Sequence, residues 1–293
     1  MGAQPRLNSS RPLNAIPLRT ICGLLFAMRV HAQPMPLSHY IPAPPLSDYI
    51  ELLWIYEGYS ARHARERVLP TGSMELIFHL DEDQRAGCSL MGAQTESTIL
   101  DTSRPFSVMG VHFKPGGGFP FFGMPAGEFQ GIGVPLDLVW GGFAGELRDR
   151  LLEAKTHGAK YRILENALLE RARGRLGRHP AVRFALEAFG RAEAPSSVAA
   201  VTDQIGLSPR RFIEVFRNEV GLTPKLYCRI RRFQNVVAVI HKLPEPDLAG
   251  MALSCGYYDQ AHFIHDFRAF SGVSPSAYLK YRTSSPNHVA MLD

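Results

Sequence analysis

The sequence predicts an α+β chain in which a β-rich N-terminal part is followed by helices. Three observations support this: short apolar runs before Pro135, apolar residues at helical spacing after it, and a helix–turn–helix pattern that occurs twice beyond His179. The chain has 293 residues, of which 45% are hydrophobic and 20% are charged, and this composition is typical of a globular protein. Its length suits about two domains, each large enough to bury its own core.

Residues 1–38 are expected to be a disordered or mis-assigned N-terminal extension. Arg11 and Arg19 precede the apolar run Ile21–Met28, but Arg29 interrupts the passage from this run to a cleavage site, which disfavours a secretory signal. A translation start at Met28 or Met35 explains the stretch as well. No segment reaches the ~20 apolar residues that span a bilayer, so we expect no membrane contact.

The cysteines predict reduced thiols in a cytoplasmic protein. Cys22, Cys88, Cys228 and Cys255 are far apart and form no Cys-x-x-Cys pair. This spacing disfavours both a disulfide framework and a structural zinc site.

Short apolar runs predict the strands of an antiparallel sheet or barrel. They are rich in Ile, Phe, Val and Tyr, and turn residues such as Gly72 and Gly87 separate them. The runs are Ile50–Tyr56, Val68–Leu69, Met74–Leu80, Thr98–Leu100 and Phe106–Phe113. The first run leaves strand and buried helix open, because a short apolar run does not distinguish them.

The stretch 112–129 is punctuated by glycine and proline, which predicts loops instead of a long regular element. Beyond Pro135, apolar residues at helical spacing with charges between them predict two amphipathic helices, over 136–154 and 160–176. Gly174 and Gly177, among the arginines that follow, indicate a domain boundary. The β-rich part with its two helices is therefore expected over 39–175.

The C-terminal part, expected over 179–283 with a flexible tail at 284–293, contains one design twice. Five positions of the first copy recur 51 residues later, whereas Gly206 matches Gly256 at an offset of 50, so the second turn has one extra residue. The recurring positions are Phe212, Phe216, Gly221, Pro224 and Tyr227, matched by Phe263, Phe267, Gly272, Pro275 and Tyr278.

Each copy predicts a helix, a tight turn and a second helix. The turn glycines allow positive φ, and Ser208-Pro209 is an N-cap followed by a helix-starting proline. At ~100° per residue, the repeated phenylalanines face inward and the polar residues of the second helix face outward. A rigid core behind an exposed second helix is what a DNA-reading helix-turn-helix requires.

A helix over 224–243 is predicted to join the two copies. Twenty residues form a helix of ~30 Å, close to the ~34 Å between successive major grooves on one face of B-DNA. The charge is also concentrated here, since residues 178–293 hold 14 Lys/Arg against 10 Asp/Glu, a net +4 of the total +5. This favours a polyanionic partner for the C-terminal part.

The region from about Val182 to Arg282 resembles the AraC/XylS family of bacterial transcription regulators. The resemblance lies in GLSPRRFIEVFRNEVGLTPKLYCRIRRFQ and in GYYDQAHFIHDFRAFSGVSPSAY, with their F-x3-F, G-x-T-P and Gly-Tyr-x-Asp-Gln spacings. It implies an all-α domain of two helix-turn-helix units joined by a linker helix. Such a domain inserts two recognition helices into adjacent major grooves of duplex DNA and controls transcription.

The N-terminal part more weakly resembles an uncharacterised domain found ahead of such DNA-binding modules. The matching segments are RVLPTGSMELIFHL, FKPGGGFPFFGMPAGEF and VPLDLVWG. In this family the N-terminal domain commonly senses a small molecule or mediates dimerisation, often as a cupin-like β-barrel. The resemblance therefore implies a cupin-like barrel or sandwich over 39–175. The two resemblances together imply four candidate partners for the chain: duplex DNA, RNA polymerase, a small-molecule effector and a second copy of the chain.

The outward faces of the second helices supply the candidate DNA contacts. Arg210 can donate two hydrogen bonds to a guanine, and Glu214 either accepts from a cytosine or pairs with Arg210 within the helix. The candidate base or groove contacts are Arg210, Arg211, Glu214, Gln260, Ala261, His262 and His265. The candidate phosphate contacts are Ser208, Arg217, Lys225, Arg229, Arg231, Arg232 and Arg268.

Aromatic and titratable residues in the predicted strands are candidates for a ligand pocket, although plain core packing is the commoner role of such aromatics. The candidates are Trp54, Tyr56, Glu75, Phe78 and His112. An alternative function follows from them: a cupin-like small-molecule-binding protein or metalloenzyme with a helical adaptor, which needs a metal at His79 and His112. We expect no metal, no cofactor and no enzyme activity, because the sequence shows neither a His-x-His pair nor a catalytic Ser-His-Asp pattern.

Overall fold

The computed structural model describes residues 37–81, 87–191, 197–243 and 246–291. The expected N-terminal extension, including Cys22, lies outside these ranges except for its last two residues. Within them the chain forms nine strands: β1 (Leu37–Tyr40), β2 (Ile50–Tyr59), β3 (Arg65–Val68), β4 (Glu75–His79), β5 (Cys88–Met91), β6 (Thr98–Asp101), β7 (Phe106–Phe113), β8 (Gly133–Pro135) and β9 (His288–Met291).

The strands form two antiparallel sheets. The larger has the order β1-β2-β7-β4-β5-β8, and the smaller has the order β6-β3-β9. The apolar run that begins at Ile50 is a strand, because β2 pairs with β1 on one side and with β7 on the other. Alternate side chains of β2 point to opposite faces of the sheet, with Leu53 and Ile55 on one face and Trp54 and Tyr56 on the other.

The described part of the chain contains eleven helices. They are α1 (Phe119–Phe122), α2 (Asp137–Trp140), α3 (Phe143–Glu153), α4 (His157–Arg171), α5 (Pro180–Gly190), α6 (Val198–Ile205), α7 (Pro209–Val220), α8 (Pro224–Lys242), α9 (Leu248–Ser254), α10 (Gln260–Ser271) and α11 (Pro275–Tyr281). The chain is thus β-rich first and mainly helical afterwards, with β9 following the last helix, which confirms the predicted α+β class.

The first four helices cover one face of the larger sheet. The predicted helix over 136–154 is two helices, because Gly141 takes a φ of 63° and ends α2. Leu147 and Leu151 of α3 and Leu164 of α4 join the core with the sheet. The opposite face packs toward the smaller sheet through a second, more aromatic cluster that includes Trp54 and Tyr56.

The helices α5–α11 share one core of their own. It is built on the repeated phenylalanines, and Phe212, Phe216, Phe263 and Phe267 are all completely buried. The linker helix α8 contributes Phe233, whose ring lies 5.3 Å from that of Phe267. The two copies are therefore packed on a common helix.

The expected flexible tail at 284–293 is wrong for its central residues. His288–Met291 form β9, which pairs antiparallel with Arg65–Val68 of β3. The segment is held because Val289 is buried in the helical core and His288 bonds to Glu66. A short segment near a terminus has the sequence features of a flexible tail. This segment forms a strand because the edge of β3 provides backbone hydrogen-bond partners for it.

The Gly/Pro-rich stretch 112–129 rests against the first helix-turn-helix unit. A Cβ on Gly127 would lie 2.8 Å from Cγ of Arg217, and one on Gly116 would lie 2.9 Å from Nη1 of Arg178. Arg178 also donates a 2.7 Å hydrogen bond to the carbonyl of Pro115. Glycine at these positions lets the two parts of the chain approach closely.

Candidate nucleic-acid interface

Two helix-turn-helix units lie side by side in the C-terminal part. The first is α6 and α7, and the second is α9 and α10. Their turns contain Gly206 and Gly256, which take φ values of 72° and 81°. Each second helix starts at a capping side chain: Ser208 accepts from the N–H of Arg211, and Asp259 accepts from the N–H of His262. The predicted repeat is thus present as two equivalent folded units.

The first recognition helix, α7, has one buried and one open side. Phe212, Val215 and Phe216 are buried. The candidate contacts Arg210, Arg211 and Glu214 are exposed, as the wheel predicts. Of the two alternatives for Glu214, the pair with Arg210 is not formed: Glu214 accepts from Nη1 of Arg211 at 3.0 Å, and both side chains are more than half exposed. The Arg210 side chain is therefore free of this carboxylate.

The second recognition helix, α10, exposes one arginine where α7 exposes three. Gln260, Ala261, His262, His265 and Arg268 are all exposed. The ring of His262 packs edge-on against the ring of Tyr257, with the ring centres 5.2 Å apart. The helix thus offers amide, imidazole and methyl groups where α7 offers guanidinium groups.

The linker helix α8 is 19 residues long, which corresponds to about 28 Å. Its buried stripe includes Ile230, Phe233, Val237 and Ile240. The opposite stripe faces a groove of 1110 Å³ between the two units. Cationic and titratable side chains that line this groove are Arg191, Lys225, Arg229, Arg231, Arg232, His262, His265 and Asp266.

Several predicted phosphate contacts have protein partners. Arg229 donates to the buried carboxylate of Asp266 at 2.6 Å and so ties α8 to α10. Arg232 lies 5.1 Å from the ring centre of Tyr257, and Arg231 lies 6.0 Å from that of Tyr227. These three cations still line the groove, but their orientation is fixed by the protein. Lys225 and Arg268 are exposed.

Arg217 and Ser208 also have structural roles. Arg217 is exposed at the end of α7 and its Nη2 donates to the carbonyl of Gly127 at 3.4 Å. Ser208 uses its hydroxyl oxygen as the cap of α7. Both remain predicted phosphate contacts, and Arg217 would exchange a bond to the β-rich part for a bond to DNA.

The groove carries positive charge at neutral pH. Burial raises the pKa of the Cys228 thiol to about 11, although Arg231 and Arg232 act in the opposite direction. The thiol is therefore protonated and neutral, and it offsets none of the surrounding arginine charge. Together with Lys225, this gives a concave surface suited to a polyanion.

The predicted ligand pocket is only partly assembled as expected. Trp54, Tyr56, Glu75 and His112 share the face of the larger sheet that looks toward the smaller sheet. Phe78 is wrong as a pocket residue, because it points to the opposite face and joins the core with the helices. Side chains alternate between the two faces along a strand, and Glu75 and Phe78 are three positions apart on β4, so they lie on opposite faces.

The inner face of the sheet is unusually polar for a buried surface. Nδ1 of His112 lies 2.8 Å from the carboxylate of Glu75, which is completely buried. Among the described residues, Oε2 of Glu75, Nε1 of Trp54 and Nδ1 of His79 have no hydrogen-bond partner. Burial lowers the pKa of His79, with a smaller effect from Arg148 in the same direction.

This polar face does not form a recognisable metal site. His79 and His112 lie on neighbouring strands, four positions apart in register, which corresponds to about 13 Å. No set of three His, Cys, Asp or Glu side chains in the described ranges is arranged to hold a metal ion. The three described cysteines are free thiols, and no described helix is both long and apolar enough to cross a bilayer.

Sequence reasoning missed a second buried carboxylate. Glu66 of β3 accepts hydrogen bonds from Tyr59 at 2.7 Å, from His63 at 2.7 Å and from His288 at 2.6 Å. His288 stands 222 positions away, so only the pairing of β9 brings the cluster together. Burial alone would raise the pKa of Glu66, but these bonds outweigh it and lower the pKa to about 2.

Comparisons with known proteins match the two parts of the chain separately. The family described as "Helix-turn-helix domain" matches residues 201–281, and the family described as "Domain of unknown function (DUF6597)" matches residues 38–135. These matches confirm both predicted resemblances: an AraC-type helix-turn-helix domain at the C-terminal end and an uncharacterised domain ahead of it.

Two relatives match part of the C-terminal region. "Probable transcriptional regulator LumQ" of Photobacterium leiognathi is 30% identical over 82 residues, which is 28% of this chain and 33% of that protein. "Uncharacterized HTH-type transcriptional regulator" of Haemophilus influenzae is 31% identical over 74 residues, which is 25% of this chain and 24% of that protein. The chain thus spans a third or less of the length of each.

Among solved structures, ToxT from Vibrio cholerae is similar at low identity. An apo variant superposes with a TM-score of 0.42 at 10% identity, covering 78% of this chain and 97% of that one. Wild-type ToxT with bound unsaturated fatty acid gives a TM-score of 0.37 at 10% identity, covering 78% and 90%.

Proposed function

We propose, on the premise that residues 201–281 form an AraC-type helix-turn-helix domain, that the protein binds duplex DNA at specific sequences and regulates transcription. The observation that carries the proposal is the pair of equivalent recognition helices, α7 and α10, whose N-terminal turns are exposed. A basic groove runs along the linker helix α8, between the start of α6 and α10. Helix N-terminal turns contact base edges, and arginine and lysine neutralise phosphates.

Both recognition helices are anchored at their C-terminal ends. Both ends lie close to the β-rich part, as the space around their terminal glycines shows. A Cβ added to Gly221, which ends α7, would lie 3.4 Å from the carbonyl oxygen of Ala126. A Cβ added to Gly272, which ends α10, would lie 2.6 Å from Nη1 of Arg67. The β-rich part thus supports the ends that do not read DNA. The exposed N-terminal turns, with Arg210 and Gln260, are left open to adjacent major grooves.

A single chain supplies both reading helices. The linker helix of about 28 Å is somewhat shorter than the ~34 Å between major grooves on one face of straight B-DNA. A modest bend of the DNA toward the protein would close this difference at a cost of order 1–6 kcal/mol. DNA binding by this domain therefore needs no second copy of the chain.

The β-rich part, which we place at 39–175 ahead of a DNA-binding part at 179–283, modulates this binding. Its turn Ala126–Phe129 packs on α7, and the bond from Arg217 to Gly127 connects the two directly. A small molecule bound at the polar inner face around Glu75 and His112 would act across the sheet, because the turn that contacts α7 packs on the opposite face of the same sheet. This contact is the support for regulation through the N-terminal part.

A gel-shift experiment tests DNA binding. The full chain is mixed with duplex from its own upstream region at two salt concentrations, with a duplex of scrambled sequence as control. We expect a complex with the upstream duplex whose affinity falls as salt rises, because each neutralised phosphate releases counterions. Absence of binding, or binding that ignores salt, would rule the proposal out.

A second candidate function rests on the inner face of the sheet. The unpartnered polar atoms of Glu75, Trp54 and His79 favour a small-molecule-binding protein whose helices serve as an adaptor. A metalloenzyme at the same face would require metal bound by His79 and His112. Metal analysis of the purified protein separates these alternatives, and we expect no stoichiometric metal.

A further inference from the structure

Tyr258 has an exposed side chain for which neither core packing nor the geometry of the turn gives a reason. Its side chain is 88% exposed, more than any other large apolar side chain among the described residues. Its hydroxyl forms no hydrogen bond with any residue that the structure describes. The neighbouring Tyr257, in contrast, is buried and packs against Phe263.

Comparison of the two turns shows that Tyr258 is the extra residue of the second copy. In the first turn, one residue, Leu207, separates the left-handed Gly206 from the cap Ser208. In the second turn, Tyr257 and Tyr258 separate Gly256 from the cap Asp259. Leu207 and Tyr257 both pack against the helical core. The first unit closes its turn without a counterpart of Tyr258, so folding does not require this side chain.

The location of Tyr258 points to the DNA backbone. It directly precedes the cap of α10, and the next two residues, Gln260 and Ala261, are on the exposed face of the recognition helix. When a recognition helix enters the major groove by its N-terminal end, the residues just before it approach the sugar–phosphate strand that borders the groove. Tyrosine hydroxyls are among the groups that donate to phosphate oxygens there.

We propose that Tyr258 binds the DNA backbone at the second half-site, with its hydroxyl donating a hydrogen bond to a phosphate oxygen and its ring packing on the adjacent deoxyribose. The proposal rests on the DNA-binding function proposed above and adds a contact that the first unit lacks. α10 exposes only Arg268 as an arginine, whereas α7 exposes three, so an uncharged backbone contact compensates for weaker ionic anchoring of the second unit.

The test compares Tyr258→Phe and Tyr258→Ala with the wild-type chain. The probe is a duplex that the wild-type protein selects from a randomised pool, and the dissociation constant is measured over a series of salt concentrations. We expect Tyr258→Phe to weaken binding by about tenfold, the effect of one hydrogen bond to a charged group, and Tyr258→Ala to weaken it further. The slope of log Kd against log salt stays unchanged, because a phenol releases no counterion.

Two comparisons make this result specific. Lys225→Ala is expected to weaken binding and also to reduce the salt slope by about 1, as loss of an ionic phosphate contact does. Leu138→Ala removes another exposed apolar side chain, from α2 in the β-rich part, and is expected to leave binding unchanged. Thermal unfolding of the tyrosine variants should match that of the wild type.

The possible outcomes are distinct. Equal affinity of wild type and Tyr258→Phe overturns the hydrogen bond to phosphate. Loss of affinity on the selected duplex but not on a scrambled one makes Tyr258 a base contact and overturns the backbone assignment. Failure of the wild-type chain to select or bind any duplex refutes the proposed function itself, and the role of Tyr258 with it.

Discussion

Arg210 and Arg217 lie on the same side of α7, but their surroundings differ. Arg210 is exposed in the first turn and is free of the carboxylate of Glu214, which pairs with Arg211. Arg217 lies at the other end and donates to the carbonyl of Gly127. On the proposed function, Arg210 is the side chain of this helix best placed to read a base, and Arg217 is better placed to couple DNA binding to the β-rich part.

Replacement of Arg210 tests this assignment. We expect Arg210→Ala to cost about 1–3 kcal/mol of binding free energy and to relax the preference at one base pair, because a bidentate contact to guanine is lost. Fluorescence anisotropy with the selected duplex and its single-base variants measures both effects. Equal weakening on every sequence would instead make Arg210 a phosphate contact.

The Glu66 cluster predicts an acid-dependent loss of stability. The pKa of Glu66 is held at about 2, below its ordinary value of 4.5, by bonds that outweigh the effect of burial. The stabilisation is therefore fully present above pH 4.5 and is lost as the pH falls toward 2. Glu66→Gln should lower the free energy of unfolding at pH 7 by about 2 kcal/mol and flatten this part of the pH dependence.

Urea unfolding at several pH values measures both quantities. Glu57→Gln is the control, because Glu57 is more than half exposed and its ion pair with His157, at 3.0 Å, lies at the surface. An unchanged acid profile in Glu66→Gln would show that the cluster does not stabilise the folded chain.

The sequence locates the helices better than the short strands, and the reason is physical. The amphipathic periodicity and the repeated caps located the helices of both copies, because these signals are local in sequence. β5 and β8 were missed, since a four-residue and a three-residue strand carry too little pattern. β9 falls within the predicted tail, because its partner β3 lies more than 200 residues earlier in the chain and no local pattern indicates that pairing.

The candidate site shows the same limit. The wheel placed Arg210, His265 and Phe212 on the correct sides of their helices. It could not show that Arg229 is tied to Asp266, or that Glu214 prefers Arg211 to Arg210, because side-chain pairing depends on distances between atoms and not on the helical angle alone.

Packing of the 126–129 turn on α7 predicts sensitivity at Gly127. We expect Gly127→Val to lower the free energy of unfolding by about 1–2 kcal/mol, because the added methyl groups would collide with Arg217. Gly145→Ala, at an exposed position in the first turn of α3 with open space around it, should raise the free energy of unfolding slightly, by up to about 0.5 kcal/mol. Urea unfolding measures the free energy of unfolding of both variants. The same change in both would contradict close packing at Gly127.

The whole molecule combines a β-rich part and a helical part that pack against each other. The β-rich part holds a polar inner face, the helical part holds the recognition helices, and glycines at 116 and 127 let the two parts meet. Both recognition helices end against the β-rich part and begin in solvent. This arrangement allows a small movement in the first part to change the orientation of a reading helix in the second.

Methylation protection of guanine N7 tests the two-helix arrangement most directly, because this atom lies in the major groove. If α7 and α10 both read DNA, the bound chain will protect two segments about one helical turn, or 10 base pairs, apart on one face of the selected duplex. Arg210→Ala should expose the first segment, and Gln260→Ala with His265→Ala should expose the second. A single protected segment, or two segments on opposite faces of the duplex, would contradict the arrangement.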